Sequence, residues 1–518
     1  MSLKSERERK ADQGFSTAVV DVTPMMPLSL GSAFLLGAFI LVSLLKLGFS
    51  LGMARLLDPA QYGMLGVGEA LMMVLFLVIG SAFPWAVMRL MAVGRRDVVK
   101  SSLVGNLIVA VLACSLLYAL FKLDVLRLSG GYLAVLVAVW ASVVVGAAAN
   151  VYTGALQGLF RFKQAAIIRC IDIVILLVLG FPLVALGYGA AGAMAGYVVG
   201  GVVSLFLAMY WVRDIGLRRG ELVNRELYSL AFPLFLGVVG TQLLMNIDIL
   251  GIKSFSPVAS DVMAGHYKAV LVLARIPVLV VTALMGAFFP FISRYSGVRE
   301  KVRVYSSRML KYVFVFILPI SLALVVVPAR TITVLFPDAY AAGGDALRVL
   351  SVGMFLLTLI TIMGTLFQAV GRSKLVAAVL TPAVLLQIGL LYLLVPRYGL
   401  TGAASATTVS CCLGLSVLLF KYARAYVPEF KLSGVAKVAV ACLLQGTLLY
   451  FFPMGNRALV VIALVLSYGL YLLVIGVLRF LEPADIRFIL CGMLPKDSRF
   501  LRGATRFVST LNGAGARR

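Results

Sequence analysis

Residues 189–212 read GAAGAMAGYVVGGVVSLFLAMYWV, twenty-four positions without a charged side chain. As a helix this stretch is about 36 Å long, enough to cross a hydrocarbon layer of about 30 Å. Its apolar groups cover every face, as expected of a helix surrounded by lipid or buried protein. Working outward, similar runs fall near 30–53, 64–88, 101–121, 132–156, 167–187, 227–252 and 266–291, then 309–327, 345–370, 375–395, 399–420, 436–452 and 458–478. The chain of 518 residues is 62% hydrophobic and only 13% charged, with a mean hydropathy of +1.05. An ordinary soluble domain is about 45–50% apolar. The fold class is therefore an all-α polytopic membrane protein with about fourteen transmembrane helices.

The net charge of +25 does not point to nucleic acid, because the cations sit in short runs at span ends and form no basic domain. With an even number of spans the connections alternate, and 35 of the 46 lysines and arginines fall in the tails and even-numbered loops or in the first turn of the spans beside them. The positive-inside bias then places both termini in the cytoplasm and the protein in the cell membrane. The polar stretch 1–27 lacks the apolar core of a secretory signal and reads as a cytoplasmic tail. At the other end, Ser498–Leu511 places Phe500, Phe507, Val508 and Leu511 on one helical face and Arg499, Arg502 and Arg506 largely on another. That pattern suits an interfacial amphipathic helix.

Two halves repeat. Gly80-Ser81-Ala82-Phe83-Pro84 with Arg89 recurs as Gly286-Ala287-Phe288-Phe289-Pro290 with Arg294. Gln157, Arg161, Lys163, Tyr188-Gly189 and Gly192 recur as Gln368, Arg372, Lys374, Tyr398-Gly399 and Gly402. The offsets of 206, 211 and 210 residues share one register, relating spans one to six to spans seven to twelve. Six is even, so both copies enter the membrane in the same sense, a parallel repeat. The expected organisation is a tail at 1–27, an N-lobe at 28–215, a C-lobe at 216–426, two additional spans at 427–480 and a basic tail at 481–518.

Charges inside spans cost about 2.5–3.5 kcal/mol each on insertion scales, so each needs a partner or a watery passage. Lys46, Glu69, Asp248 and Arg275 lie at one level, roughly 6–14 Å below the outer ends of spans one, two, seven and eight. Glu69 and Arg275 each precede a repeated proline by fifteen residues and carry opposite charge. Two pairings follow. Glu69 with Arg275 and Lys46 with Asp248 would form an outer gate between lobes, whereas Lys46 with Glu69 and Asp248 with Arg275 would be neutralisation inside each lobe. Arg55, Arg89, Lys253 and Arg294, at the ends of the same spans, are topology signals that can also line a phosphate's path.

Other chemistries are poorly served. All cysteines but Cys491 fall inside apolar segments, so they build no disulfide framework. The single histidine, His266, rules out a multi-histidine metal site. The outer loops are too short for a catalytic module, no paired-carboxylate motif stands out, and no phosphate-binding Gly-x4-Gly-Lys-Ser/Thr run occurs. The sequence therefore asks for no catalytic residue, metal or cofactor, and reads as a transporter and not an enzyme.

The run Ala54-Arg55-Leu56-Leu57-Asp58-Pro59-Ala60-Gln61-Tyr62-Gly63 resembles the A-R-x-L-G-P-x-x-Y-G segment of polysaccharide flippases, with Asp58 where that pattern usually has Gly. Gln157-Gly158 with Arg161-Phe162-Lys163, Asn246-Ile247-Asp248, Phe289-Pro290, and Leu335-Phe336-Pro337 with Tyr340 and Ala346-Leu347-Arg348 are also similar to family segments. Over roughly 28–426 the chain resembles the oligosaccharide flippase branch of the multidrug/oligosaccharidyl-lipid/polysaccharide exporter superfamily. That resemblance implies two six-helix lobes around a central cavity, with two extra C-terminal helices. It also implies alternating-access movement of a polyprenyl-(di)phosphate-linked oligosaccharide from the cytoplasmic to the outer leaflet. Cations in spans one and eight would meet the phosphate, and Gln157 and Asn246 the sugars. The partners expected are the lipid-linked glycan, membrane lipids, a coupling ion (H+ or Na+) and other polysaccharide-assembly proteins. Alternative readings are an ion-coupled multidrug or cation extruder using Asp248, Glu69 or Asp172, a lipid II flippase, and a membrane glycosyltransferase or polymerase.

Overall fold

A lipid layer offers no hydrogen bonds to the backbone, so a crossing segment must satisfy its own N–H and C=O groups. The computed structural model describes residues 28–480, except 82, 93, 125–126, 129, 216–224, 257–259, 283–298, 427–431 and 479. Among these described residues there are helices and no strand. The first half contains α1 (Leu28–Leu56), α2 (Pro59–Ser81), α3 (Phe83–Ala92), α4 (Val98–Lys122), α5 (Leu133–Gly158), α6 (Phe162–Leu183) and α7 (Gly189–Val212). The second contains α8 (Arg225–Phe255), α9 (Ser260–Ala274), α10 (Ile276–Thr282), α11 (Arg299–Phe316), α12 (Leu318–Val326), α13 (Pro328–Leu335), α14 (Gly344–Ala369) and α15 (Ser373–Tyr426). Two further helices, α16 (Leu432–Phe451) and α17 (Arg457–Val477), close the described chain.

Ten helical stretches among the described residues are long and apolar enough to cross a membrane, or eleven with the α9–α10 pair, which bends by 43°. Two of the ten, Phe162–Val212 and Ser373–Arg424, are 51 and 52 residues long, about twice one crossing. Both are hairpins. α6 packs along α7, and within α15 the Gln387 side chain donates to Thr407 Oγ1 at 2.8 Å. Crossings are thus more numerous than stretches, although the described residues do not fix the number at fourteen.

The two hairpins reverse in the same way. Gly189 has φ 55° and ψ −143°, and Gly399 has φ 54° and ψ −124°, a backbone region that essentially only glycine enters. Three residues on, a Cβ at Gly192 would press on Leu183 and Tyr188, and one at Gly402 on Leu394 and Tyr398. The Tyr-Gly repeat of the sequence is therefore a repeated turn. The second copy of the Gly80–Pro84 repeat, at 286–290, lies outside the described residues, as do Arg294, the tail at 1–27 and the segment Ser498–Leu511.

One apolar core runs through both halves, from Phe49 and Leu65 to Leu350 and Met354. α2 lies at its centre, packed on α5 of its own half and on α8 and α9 of the other. α16 and α17 join the second half, where Gln445 Nε2 donates to the Pro319 carbonyl at 2.9 Å and the Tyr471 hydroxyl to the Phe314 carbonyl at 2.7 Å. Leu112, Leu116, Val178, Phe206, Leu443 and Val465 are exposed, as expected of lipid-facing positions. Between α3 and α4, outside the apolar spans, Arg95 donates twice to Asp97 at 2.9 and 2.8 Å and holds that carboxyl below the usual carboxylate range.

Candidate functional site

The site grows from the start of α2. Asp58 precedes Pro59, and its Oδ1 accepts from the Gln61 N–H at 2.7 Å, a side-chain cap before a proline in the first helical position. The cap gives a local role to the aspartate that departs from the family pattern. The Gln61 side chain then accepts the Ala190 N–H at 3.0 Å, tying the start of α2 to the start of α7. Tyr62, fully buried, shares a 2.7 Å hydrogen bond with Ser50 of α1.

At Gly63 the halves come closest. A Cβ there would overlap the Asp261 carbonyl oxygen of α9, and a Cβ at Gly265 would overlap the Pro59 carbonyl oxygen. Only two glycines let these backbones approach so nearly. Around this crossing Tyr62 packs on Phe336 and Tyr340 of the second half, at ring separations of 6.5 and 5.5 Å, and His266 packs on Tyr340 at 5.8 Å.

About two helical turns deeper, Glu69 accepts from the Tyr197 hydroxyl at 2.8 Å and pairs with Lys268 of α9 at 3.4 Å. The Lys268 ammonium also lies 4.4 Å from the centre of the Tyr62 ring, and Lys46 lies 5.5 Å from that of Tyr197. Lys46 is within electrostatic reach of both Glu69 and Asp172, and Asp172 in turn of Arg169. Arg169 is exposed although it belongs to α6, about 10 Å from that helix's start. A second link joins the halves nearer the helix ends. The Tyr132 hydroxyl donates to Asp261, which pairs with Lys253 at 2.7 Å; the same ammonium donates to Ser260 at 3.1 Å and lies 4.7 Å from the Tyr132 ring centre.

Asp248 belongs to another centre, inside the second half. Fully buried, it accepts from the Tyr267 hydroxyl at 3.0 Å and from the Ile249 N–H at 2.9 Å, with Arg275 as its charged neighbour. Arg275 sits at the α9–α10 bend and donates to the Met245 carbonyl of α8. Gln387 and Thr407 of α15 extend this centre beyond Tyr267.

These positions correct the expected pairings. Among the described residues no ion pair joins Glu69 to Arg275 or Lys46 to Asp248. Arg275 faces Asp248 of its own half, as in the neutralisation alternative, and is also within electrostatic reach of Glu69, while Glu69 takes an ion-pair partner, Lys268, that neither alternative contained. Lys268 is missed when the eighth span is started at 266, because it then reads as a cation at the span's end. Ser260-Asp261 ahead of the apolar run is a helix-start signal, and it puts Lys268 two turns inside α9. Lys253, read as a path-lining cation, is buried against Asp261. Arg55 is exposed and reaches the Leu335 carbonyl at 3.4 Å. Arg89 is exposed on α3, Gln157 half-buried in α5, and Asn246 buried, donating to the Gln242 carbonyl of its own helix at 2.8 Å. Among the described residues no group of three or more His, Cys, Asp or Glu side chains is placed to hold a metal ion.

Comparison with known proteins bears on these features. Residues 29–296, more than half the chain, match the family model described as polysaccharide biosynthesis protein. A putative O-antigen transporter of Shigella flexneri is 26% identical over 257 residues, covering 47% of this chain and 59% of the relative, so the matched part falls short of two thirds of that protein. A probable low-salt glycan biosynthesis flippase, Agl15 of Haloferax volcanii, is 22% identical over 347 residues, 66% of this chain and 72% of the relative. Among solved structures, the lipid II flippase MurJ in an inward closed conformation superposes with a TM-score of 0.68 at 15% identity, over 85% of this chain and 97% of that one. An inward-facing multidrug resistance MATE family transporter of the MOP superfamily gives 0.56 at 16% identity, over 75% and 96%. At these identities the likeness is one of fold.

Proposed function

The chain belongs to the polysaccharide biosynthesis protein family, and from that premise we propose that it is a flippase. It moves a polyprenyl-(di)phosphate-linked oligosaccharide from the cytoplasmic to the outer leaflet by alternating access, with both termini cytoplasmic. The observation that carries the reading is the Glu69–Lys268 pair. It is an ionic contact between halves, deep in apolar helices, beside a glycine crossing that leaves no slack. An ion pair placed there costs desolvation that apolar side chains would avoid. A contact that must form and break as the halves rock gives it a purpose.

In this reading the crossing of α2 and α9 is the outer end, closed. The carboxylates of Glu69 and Asp172 stand in for substrate phosphate against Lys46, Lys268 and Arg169, and an incoming phosphate takes those cations through charge-assisted bonds. Release of Lys268 from Glu69 frees the outer latch. The Asp248 centre, whose hydrogen bonds lie within one half, is the place for the coupling ion, H+ or Na+, since it can change charge without breaking the latch. Sugars meet Gln157 and Asn246 only if these side chains turn into the passage during the cycle.

The test is transport itself. Deleting the gene should cause a lipid-linked oligosaccharide to accumulate on the cytoplasmic face, cleared by the wild-type chain and not by Lys268→Met or Lys46→Ala. Unchanged lipid-linked pools together with lost drug resistance would instead identify an extruder.

A further inference from the structure

α6 carries chemistry on two faces. Arg169 and Asp172 lie on one. On the other, Lys163, Ala166, Cys170 and Val174 recur at helical spacing and, with α1, line a groove of about 620 Å³. Its floor is made of small residues, Gly37 and Ala38 of α1 against Ala166 and Cys170 of α6, while Phe34, Leu41 and Val174 are exposed along its rim. Gly52 and Gly180, packed on Phe181 and Phe49, fix α1 and α6 parallel at their far ends. The groove therefore runs from Lys163 to Val174, about 16 Å along the helix. Its single charged group, Lys163, is exposed at one end.

Apolar lining alone selects nothing in a bilayer, where acyl chains are as apolar as leucine. Selection has to come from shape and from the cation. We propose that this groove holds the isoprenoid tail of the phosphate-linked lipid, with Lys163 against its phosphate, while the glycan passes along the opposite face of α6. The proposal rests on the flippase reading above and adds to it a seat for the tail, outside the polar interior. A resident phospholipid could also place an acyl chain here, but its headgroup has no business on the Arg169 side. A lipid whose head travels through the interior needs a track for its tail on the outer side of the same helix, and α6 has both faces. The cations Lys163 and Arg169 lie about 9 Å apart along the axis, on different faces of the helix, so α6 offers a phosphate a cation on each side.

The groove can be filled without disturbing the core, because a Cβ at Gly37 meets no atom within 4 Å and Val174 is 47% exposed. The full chain is placed in nanodiscs of phosphatidylethanolamine and phosphatidylglycerol with a polyprenyl phosphate bearing a diazirine in its tail, and adducts are mapped by peptide mass spectrometry. Adducts should concentrate on 34–41 and 166–174. Gly37→Phe and, independently, Val174→Trp should each lower them about tenfold, and Lys163→Glu should do so where Lys163→Arg does not. Adducts spread evenly over the exposed faces of α16 and α17, adducts insensitive to both filling variants, or adducts displaced as readily by excess phosphatidylglycerol would overturn the proposal. Transport by the wild-type chain is measured in parallel. Its absence would refute the flippase reading whatever the groove binds, whereas transport with unlocalised adducts would refute the groove alone.

Discussion

Tyr267 and Lys268 are sequence neighbours that serve two different centres. The tyrosine turns to Asp248 of α8, in its own half, and the lysine to Glu69 of α2, across the boundary. Both centres contain a carboxylate, a cation and a tyrosine hydroxyl inside apolar helices. They differ in whether a rocking motion must break them. In the proposed cycle the Asp248 centre would travel with its own half, while the Glu69–Lys268 contact would form only when the halves are together. Similar chemistry can thus be structural in one place and conformational in the other, and the helix that bears the partners decides which.

The largest effect on this contrast should come from the crossing beneath it. Gly265→Ala or Gly63→Ala drives a methyl group into the backbone of the other half, and neither backbone can yield as a flexible side chain would. Disulfide formation between cysteines placed at 62 and 340 should fall at least about tenfold, since the overlap costs more than the 1.4 kcal/mol that a tenfold shift needs. Undiminished crosslinking would mean that the crossing has slack. Next in size, Lys268→Met leaves the Glu69 carboxylate only its more distant cation, Lys46, and should disfavour closure by up to about 3 kcal/mol. The exchange Glu69→Lys with Lys268→Glu should recover part of that loss. If the exchange is as open as the single variant, the pair does not act as a latch.

Asp248→Asn sharpens the contrast from the other side. It should leave the 62–340 crosslink nearly unchanged, abolish the proposed dependence of transport on H+ or Na+, and lower the thermal stability of the purified protein. A collapse of the crosslink would show the two centres to be one. Tyr267→Phe removes one hydrogen bond to a charged group and should cost about 1.5–3 kcal/mol of stability, read as a lower melting temperature with closure intact. The smallest change is expected for Arg55→Ala. This exposed side chain makes one long bond to a carbonyl, and its loss should alter stability by no more than about 0.5 kcal/mol.

The crossings were readable because a bilayer enforces length and composition on every segment that spans it. The Tyr188-Gly189 and Tyr398-Gly399 match was readable for a related reason: a turn that only glycine can make leaves a mark in the sequence. Glu69 and Asp248 stood out as costly charges in apolar runs. Arg275 was among the partners offered for Asp248, but the Lys268 partner of Glu69 did not follow, because a repeat relates positions along the chain and does not tell which side chains touch after α9 bends by 43°. Lys268 escaped because hydropathy windows locate the apolar part of a helix and not its polar first turns. Tyr62, Tyr132 and Tyr197 carry no sign in sequence that separates an anchoring hydroxyl from an ordinary buried ring.

The bond from Gln61 to the Ala190 backbone carries a mechanical consequence. It fastens the beginning of α2 to the rim of the α6–α7 hairpin, whose reversal rests on a backbone shape no other residue can take up. Glu69 and Tyr197 are therefore joined at two levels, by their own bond and by the Gln61 tie between the same two helices. A force that parts the halves therefore reaches the Glu69–Lys268 contact and the Tyr132–Asp261 link together, through one connected unit.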